Sequence, residues 1–106
     1  MKIYISMPIS GYDQRDCFSG AYVYANTVKE AFAEAEIATP FHCVPFGCKD
    51  SNAECTKKEL AEIMTADMLI LADGWEESPT CRAALAVAEA CKIDHYTLQE
   101  ICKKHE

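Results

Sequence analysis

Hydrophobic and polar positions along the chain follow two patterns, one typical of strands and one typical of helices. Lys2 to Met7 alternates, is rich in β-branched and aromatic residues, and runs into a proline and a glycine, which predicts a strand that ends in a turn. Met68 to Ala72 is an unbroken apolar run, which predicts a central strand covered on both faces. Shorter strands are expected at Ile37 to Thr39 and at Ile93 to Tyr96.

Helical periodicity is strongest between Gln14 and Glu36. Apolar residues recur there at steps of three and four, which places them on one face of a long helix. These residues are Phe18, Ala21, Tyr22, Ala25, Val28, Phe32 and Ala35. A short helix that carries Leu60, Ile63 and Met64 is expected before the central strand. Between the two helices, the stretch from Phe41 to Cys55 has no period, which predicts a long loop with a role in function or in an interface.

Two capping signals predict where the last helices begin. Ser78 followed by Pro79 is typical of an N-cap and a first helical residue. Thr97 with Glu100 three residues later predicts a capping box for a closing helix that runs to about Lys104. Strands and helices therefore alternate. This order predicts one α/β domain over residues 1–106, with three layers and a parallel sheet of four to five strands.

Composition and charge exclude several functional classes. The 106 residues suffice for one hydrophobic core, and the net charge of −7 disfavours a nucleic-acid partner. No apolar run approaches the roughly 20 residues of a membrane-spanning helix, so no membrane partner is expected. The first residues lack the pattern of a secretory signal, which predicts a cytoplasmic protein.

The seven cysteines are odd in number and include no Cys-x-x-Cys pair, which favours reduced thiols over disulfides. Cys43, Cys48 and Cys55 follow His42, but their spacing matches no zinc motif. Scattered thiols are therefore expected, with no metal site.

Ligands of parallel sheets bind beyond the carboxyl ends of the strands, which directs attention to three segments. They are Met7 to Arg15, Pro40 to Phe46 and Asp73 to Arg82. The first and third segments each precede a predicted helix and carry side chains suited to a phosphate and an aromatic ring.

The first segment holds Ser10, Gly11, Tyr12 and Arg15. Backbone amides at the helix start and the guanidinium of Arg15 favour an anionic group, and Tyr12 has a ring that can stack on a base. The same residues also fit an ordinary turn between a strand and a helix.

The third segment holds Asp73, Trp75, Glu77, Ser78 and Thr80. The two hydroxyls, with the amides of the helix start, suit phosphate oxygens. For Ser78 alone, helix capping is the simpler role.

Met1 to Tyr12 and Ala66 to Ser78, taken together, resemble the nucleoside 2-deoxyribosyltransferase-like proteins, and most closely their short DUF4406 branch. The resemblance extends over nearly the whole chain. It implies a flavodoxin/Rossmann-like fold, a nucleoside or nucleotide site at the strand ends, and a homodimer or higher homo-oligomer. No cofactor is expected.

Active relatives in this resemblance carry Ser-x-Gly-x-x-x-Glu at a helix start, and the glutamate attacks the anomeric carbon of the sugar. The corresponding run here keeps Ser78 but has Thr80 in place of the glycine and Ala84 in place of the glutamate. We expect residue 84 to point into the cleft and to leave a methyl group there. The resemblance therefore implies a protein that binds a nucleotide-like molecule with little or no turnover.

Two alternatives remain open from the sequence. One is an active deoxyribosyltransferase or (deoxy)nucleotide N-glycosidase in which Asp73 or Glu77 replaces the missing glutamate. The other is a protein-interaction module that uses the thiol-rich 41–55 segment and an acidic face.

Overall fold

A computed structural model describes residues 1–9, 12–44 and 52–104. The strands are β1 (Lys2–Ser6), β2 (Glu36–Ala38), β3 (Met68–Leu71) and β4 (Asp94–Thr97). The helices are α1 (Gln14–Ala31), α2 (Pro40–Cys43), α3 (Asn52–Ile63), α4 (Pro79–Ala90) and α5 (Leu98–Lys104). A 3-10 turn at Trp75–Glu77 lies between β3 and α4. The strands form one parallel sheet in the order β2-β1-β3-β4.

Alternate residues of the central strands point to opposite faces of the sheet, and each face has its own core. Ile3 and Ile5 of β1 pack on the side that α1 and α5 cover. Tyr4 of β1 and Leu69 of β3 pack on the other side, with α3 and α4. The fold is therefore a three-layer, flavodoxin/Rossmann-like α/β fold, as expected, with four strands in its sheet.

The strand order sets the position of a binding site. The chain leaves β1 toward one edge of the sheet and leaves β3 toward the other, so β1 and β3 flank the switch point. In open parallel sheets the crevice outside the carboxyl ends of these two strands is where ligands bind.

The long first helix differs from its prediction in length and in orientation. It ends at Ala31, with Phe32 as its C-cap. β2 begins at Glu36, whose amide donates a hydrogen bond of 2.9 Å to the carbonyl of Met1, so the chain leaves the helix before this residue. The predicted apolar face is also wrong in part. Phe18 is 50% exposed and Tyr22 is 68% exposed.

The residues that α1 buries are Cys17, Ala21 and Val28. Ala21 and Val28 belong to the predicted line and Cys17 does not, so the buried stripe overlaps the predicted one and leaves out Phe18 and Tyr22. Spacing alone did not separate the buried residues from the exposed ones, because the apolar residues at steps of three and four extend beyond the buried stripe.

The segment predicted as a loop is partly helical. α2 begins at Pro40 after Thr39, whose backbone N–H donates to Nδ1 of His42 at 2.9 Å, and α3 begins at Asn52, earlier than expected. Residues 45–51 lie outside the described residues.

Both predicted capping signals are confirmed. The Ser78 hydroxyl accepts a bond of 3.3 Å from the amide of Cys81. Thr97 and Glu100 exchange backbone-to-side-chain bonds of 3.1 and 3.2 Å. Across the described ranges, no helix has the length and apolar character needed to cross a membrane.

Candidate functional site

A cavity of about 610 Å³ opens where β1 and β3 end, at the switch point of the sheet. We call it the switch-point cavity. Its lining includes Pro8, Tyr12, Lys57, Glu77, Ser78 and Thr80. Its volume lies within the range of roughly 300–1,000 Å³ that is typical of small-molecule sites.

The turn after β3 shapes one wall of this cavity. Gly74 has a φ of 86°, a backbone conformation that residues with a side chain rarely adopt. A Cβ at this position would lie 3.4 Å from Cγ of Pro8. The 3-10 turn that follows brings Glu77 to the cavity, and Ser78 then caps α4. A glycine-dependent turn thus brings the segments after β1 and β3 together.

Four residues singled out from the sequence line the switch-point cavity together. They are Tyr12, Glu77, Ser78 and Thr80. Tyr12 is 60% exposed, so most of its ring is accessible. The first and third segments therefore meet, and their side chains form one surface.

Other predicted residues lie elsewhere. Asp73 lines a smaller neighbouring cavity of about 180 Å³, and its carboxylate accepts a bond of 3.3 Å from Nε2 of Gln99. Trp75 packs against the core on the α4 side, and Arg15 is exposed and lines neither of these cavities. Ser10 and Gly11 lie outside the described residues.

α3 supplies part of the cavity that the sequence did not indicate. The hydroxyls of Thr56 and Thr80 lie 3.0 Å apart, which ties α3 to the start of α4. Lys57 lines the cavity and adds a positive charge, so the wall carries both a cation and the carboxylate of Glu77. Only the packing of α3 against α4, between segments distant in sequence, creates this contribution.

Ala84 does not face the cavity, and the expectation that residue 84 points into the cleft is wrong. Its side chain is fully buried, with 0% exposure, in the core that contains Tyr4 and Leu71. Cys81, Ala84 and Ala88 lie at steps of three and four along α4, so all three face the sheet.

A buried carboxyl group lies on α3 one turn beyond Thr56. Glu59 is only 6% exposed, and its Oε1 accepts a bond of 3.0 Å from the Tyr4 hydroxyl. Burial raises the pKa of Glu59 to about 7, and the bond from Tyr4 opposes that rise. The burial of Glu59 could not be predicted from the sequence, because a single acid on a polar helix segment is usually exposed.

The thiols near this carboxyl group are poor nucleophiles. Sγ of Cys43 lies 3.7 Å from the Tyr4 hydroxyl, and Sγ of Cys81 accepts a bond of 3.3 Å from Ser6. Burial raises the pKa of both Cys43 and Cys81, which keeps them protonated near neutral pH. The six cysteines in the described residues are all free.

Comparison with known families identifies the family of the chain. The model of the family described as "Domain of unknown function (DUF4406)" matches residues 1–96. The chain belongs to the DUF4406 family. Every described residue that lines the switch-point cavity of this DUF4406 protein lies within the matched range. No curated protein and no solved structure matches the chain.

Proposed function

We propose that this DUF4406 protein is a nucleoside 2-deoxyribosyltransferase-like protein that binds a nucleoside or nucleotide in the switch-point cavity, with little or no turnover. The observation that carries the proposal is the meeting of Tyr12, Ser78 and Thr80 with Lys57 around a cavity of about 610 Å³. The resemblance of the β1 and β3 segments to that superfamily supports the ligand class.

The lining offers a partner for each part of a nucleotide. The hydroxyls of Ser78 and Thr80 can donate to phosphate or sugar oxygens, and the ammonium group of Lys57 can neutralise a phosphate. The amino end of α4 favours the same anionic group. The accessible ring of Tyr12 can stack on the base.

The carboxylates argue against rapid turnover. Retaining transfer at a sugar carbon uses two carboxyl groups about 5–5.5 Å apart, one as the nucleophile and one as the acid. Among the described residues that line the cavity, Glu77 is the one carboxylate. Ala84, which takes the nucleophile's place in the resemblance, has no reactive group and is buried. Binding therefore fits the site better than catalysis.

The second candidate function is slow N-glycosidase or deoxyribosyltransferase activity with Glu77 as the displaced carboxylate. The position of Glu77 on the cavity wall favours it over Asp73, which lines the neighbouring cavity. Incubation with deoxynucleosides and their monophosphates, followed by chromatography, measures any released base. Release that Glu77→Gln abolishes would establish this activity and overturn the proposal of a binding protein.

Calorimetric titration tests the binding proposal. We expect saturable binding of at least one deoxynucleoside monophosphate, and Lys57→Gln should weaken it by about tenfold because the phosphate loses a charged partner. Lys103→Gln, an exposed change on α5, is the matched control and should leave the affinity unchanged. No binding across bases, nucleosides and monophosphates would contradict the proposal.

The proposed function also includes an oligomeric state and a cellular location. We propose a homo-oligomer, with a dimer as its smallest form, that acts in the cytoplasm. The free thiols of the six described cysteines support a reducing compartment.

A further inference from the structure

The outward face of α1 carries large apolar side chains. Phe18, Tyr22 and Val23 are 50%, 68% and 58% exposed, although they lie within two turns of one helix. Clustered exposed apolar groups are typical of interaction surfaces, whereas isolated ones need no explanation.

The apolar surface continues from α1 onto α2. The rings of Phe18 and Phe41 meet edge to face, with centroids 5.3 Å apart and planes at 73°. Beside them lies a cavity of about 230 Å³, lined mainly by apolar residues such as Ala21 and Ala25, with Thr39 and His42 at one side. We call Phe18, Tyr22, Val23 and Phe41 the α1 patch.

Charged residues flank the α1 patch symmetrically. Arg15 lies in the first turn of α1 and Glu30 in its last turn, and both are exposed. Arg15 precedes Tyr22 by as many residues as Glu30 follows Val23. With about 3.6 residues per turn, Arg15, Tyr22 and Glu30 lie on the same side of the helix. Two copies of α1 placed antiparallel would therefore bring each Arg15 opposite a Glu30, so the charges on this helix surface are self-complementary.

We propose that two copies of this chain pair through the α1 patch, with their α1 helices antiparallel about a twofold axis between Tyr22 and Val23. In this arrangement Arg15 of each copy faces Glu30 of the other, and the exposed aromatic side chains are buried at the centre. An isologous interface requires such self-complementarity, whereas a different partner does not. The arrangement rests on the homo-oligomer of the proposed function and is independent of any ligand in the switch-point cavity.

Charge exchange tests this arrangement, with sedimentation velocity measured over a micromolar to millimolar range. The parent should dimerise, and Arg15→Glu or Glu30→Arg alone should weaken the dimer by about tenfold, because like charges then face each other twice. The double variant Arg15→Glu/Glu30→Arg should restore the parent affinity. Each change places a charge that suits its end of the helix, so loss of the dimer cannot come from loss of α1.

Apolar substitutions give a second, independent reading. Tyr22→Glu should abolish the dimer, and Met64→Glu, which changes a side chain that is 57% exposed just after α3, should leave it intact. A dimer that neither Tyr22→Glu nor the charge reversals weaken would overturn the α1 pairing alone. A parent chain that stays monomeric throughout would overturn the homo-oligomer as well, and nucleotide binding would still be tested separately by calorimetry.

Discussion

The hydroxyl of Tyr4 donates a hydrogen bond of 3.0 Å to Oε1 of Glu59, in the interior between β1 and α3. Tyr4 is fully buried and Glu59 is only 6% exposed, so the bond is shielded from bulk water. Burial, together with the nearby charge of Glu59, raises the pKa of Tyr4 and keeps it a donor. A central strand and the helix beside the switch-point cavity are thus joined by an interaction that depends on protonation.

Glu59 makes the stability of the fold depend on pH. Burial raises its pKa from 4.5 to about 7, so between these values the folded chain binds a proton that the unfolded chain does not. Its contribution to stability is full below pH 4.5 and is lost as the pH rises through about 7. The shift corresponds to about 3 kcal/mol at most.

Urea unfolding at a series of pH values measures this effect. The free energy of unfolding of the parent, minus that of Glu59→Gln, should fall as the pH rises from 5 toward 8, since the amide does not titrate. Glu89→Gln, at an exposed position on α4, is the control and should keep the parent's pH dependence. A constant difference between the parent and Glu59→Gln would contradict a buried, titrating Glu59.

The hydrogen bond between Tyr4 and Glu59 stabilises the folded chain. Tyr4→Phe should destabilise the chain by about 1–3 kcal/mol, because the carboxyl group loses a partner in the interior. It should also move the Glu59 titration to higher pH, since the bond from Tyr4 lowers the pKa of Glu59. In a double-mutant cycle with Glu59→Met, which removes the acceptor oxygen, the cost of Tyr4→Phe should become smaller. Additive costs and an unmoved titration would show that the bond does not form.

A substitution at Ala84 tests whether residue 84 is buried in the core and does not face the cleft. Because its methyl group is fully buried, Ala84→Glu should destabilise the chain by more than about 3 kcal/mol, and it should not create glycosidase activity. Ala86→Glu, at an exposed position on the same helix, should cost less than about 0.5 kcal/mol. Thermal unfolding compares the two variants. Equal melting temperatures would place residue 84 at the cleft surface.

Ser78 has a capping role and a proposed binding role, which two substitutions separate. Ser78→Ala removes the acceptor of the Cys81 amide and should lower stability by about 1 kcal/mol and weaken nucleotide binding. Ser78→Asp keeps the cap, so its stability should match the parent, but its charge should repel a phosphate in the cavity. If calorimetry found Ser78→Asp binding monophosphates as tightly as the parent, the phosphate would not lie near Ser78.

Local signals in the sequence predicted the elements that depend on local physics. The apolar run of β3 and the caps at Ser78 and Thr97 need only neighbouring residues to form, and the structure has them where they were expected. The meeting of Tyr12 with Ser78 also followed, because parallel strands end at one edge of the sheet.

Features of the site that depend on tertiary contacts could not be predicted from the sequence. Glu59 is buried because of Tyr4, a residue 55 positions away, and no local pattern indicates such a pair. Lys57 joins the cavity because α3 packs beside α4. Ala84 was expected in the cleft because it takes the position of the glutamate in the family's motif. Which face of α4 is buried depends instead on the side of the helix that packs against the sheet.

Chemical-shift mapping tests the central claim most directly, since it reports where a nucleotide binds as well as whether it binds. Titration of the labelled protein with a deoxynucleoside monophosphate should move the backbone amide signals of Tyr12, Lys57, Ser78 and Thr80 most, and leave those of α5 in place. Shifts confined to the α1 patch, or no shifts at saturating nucleotide, would contradict a nucleotide site in the switch-point cavity.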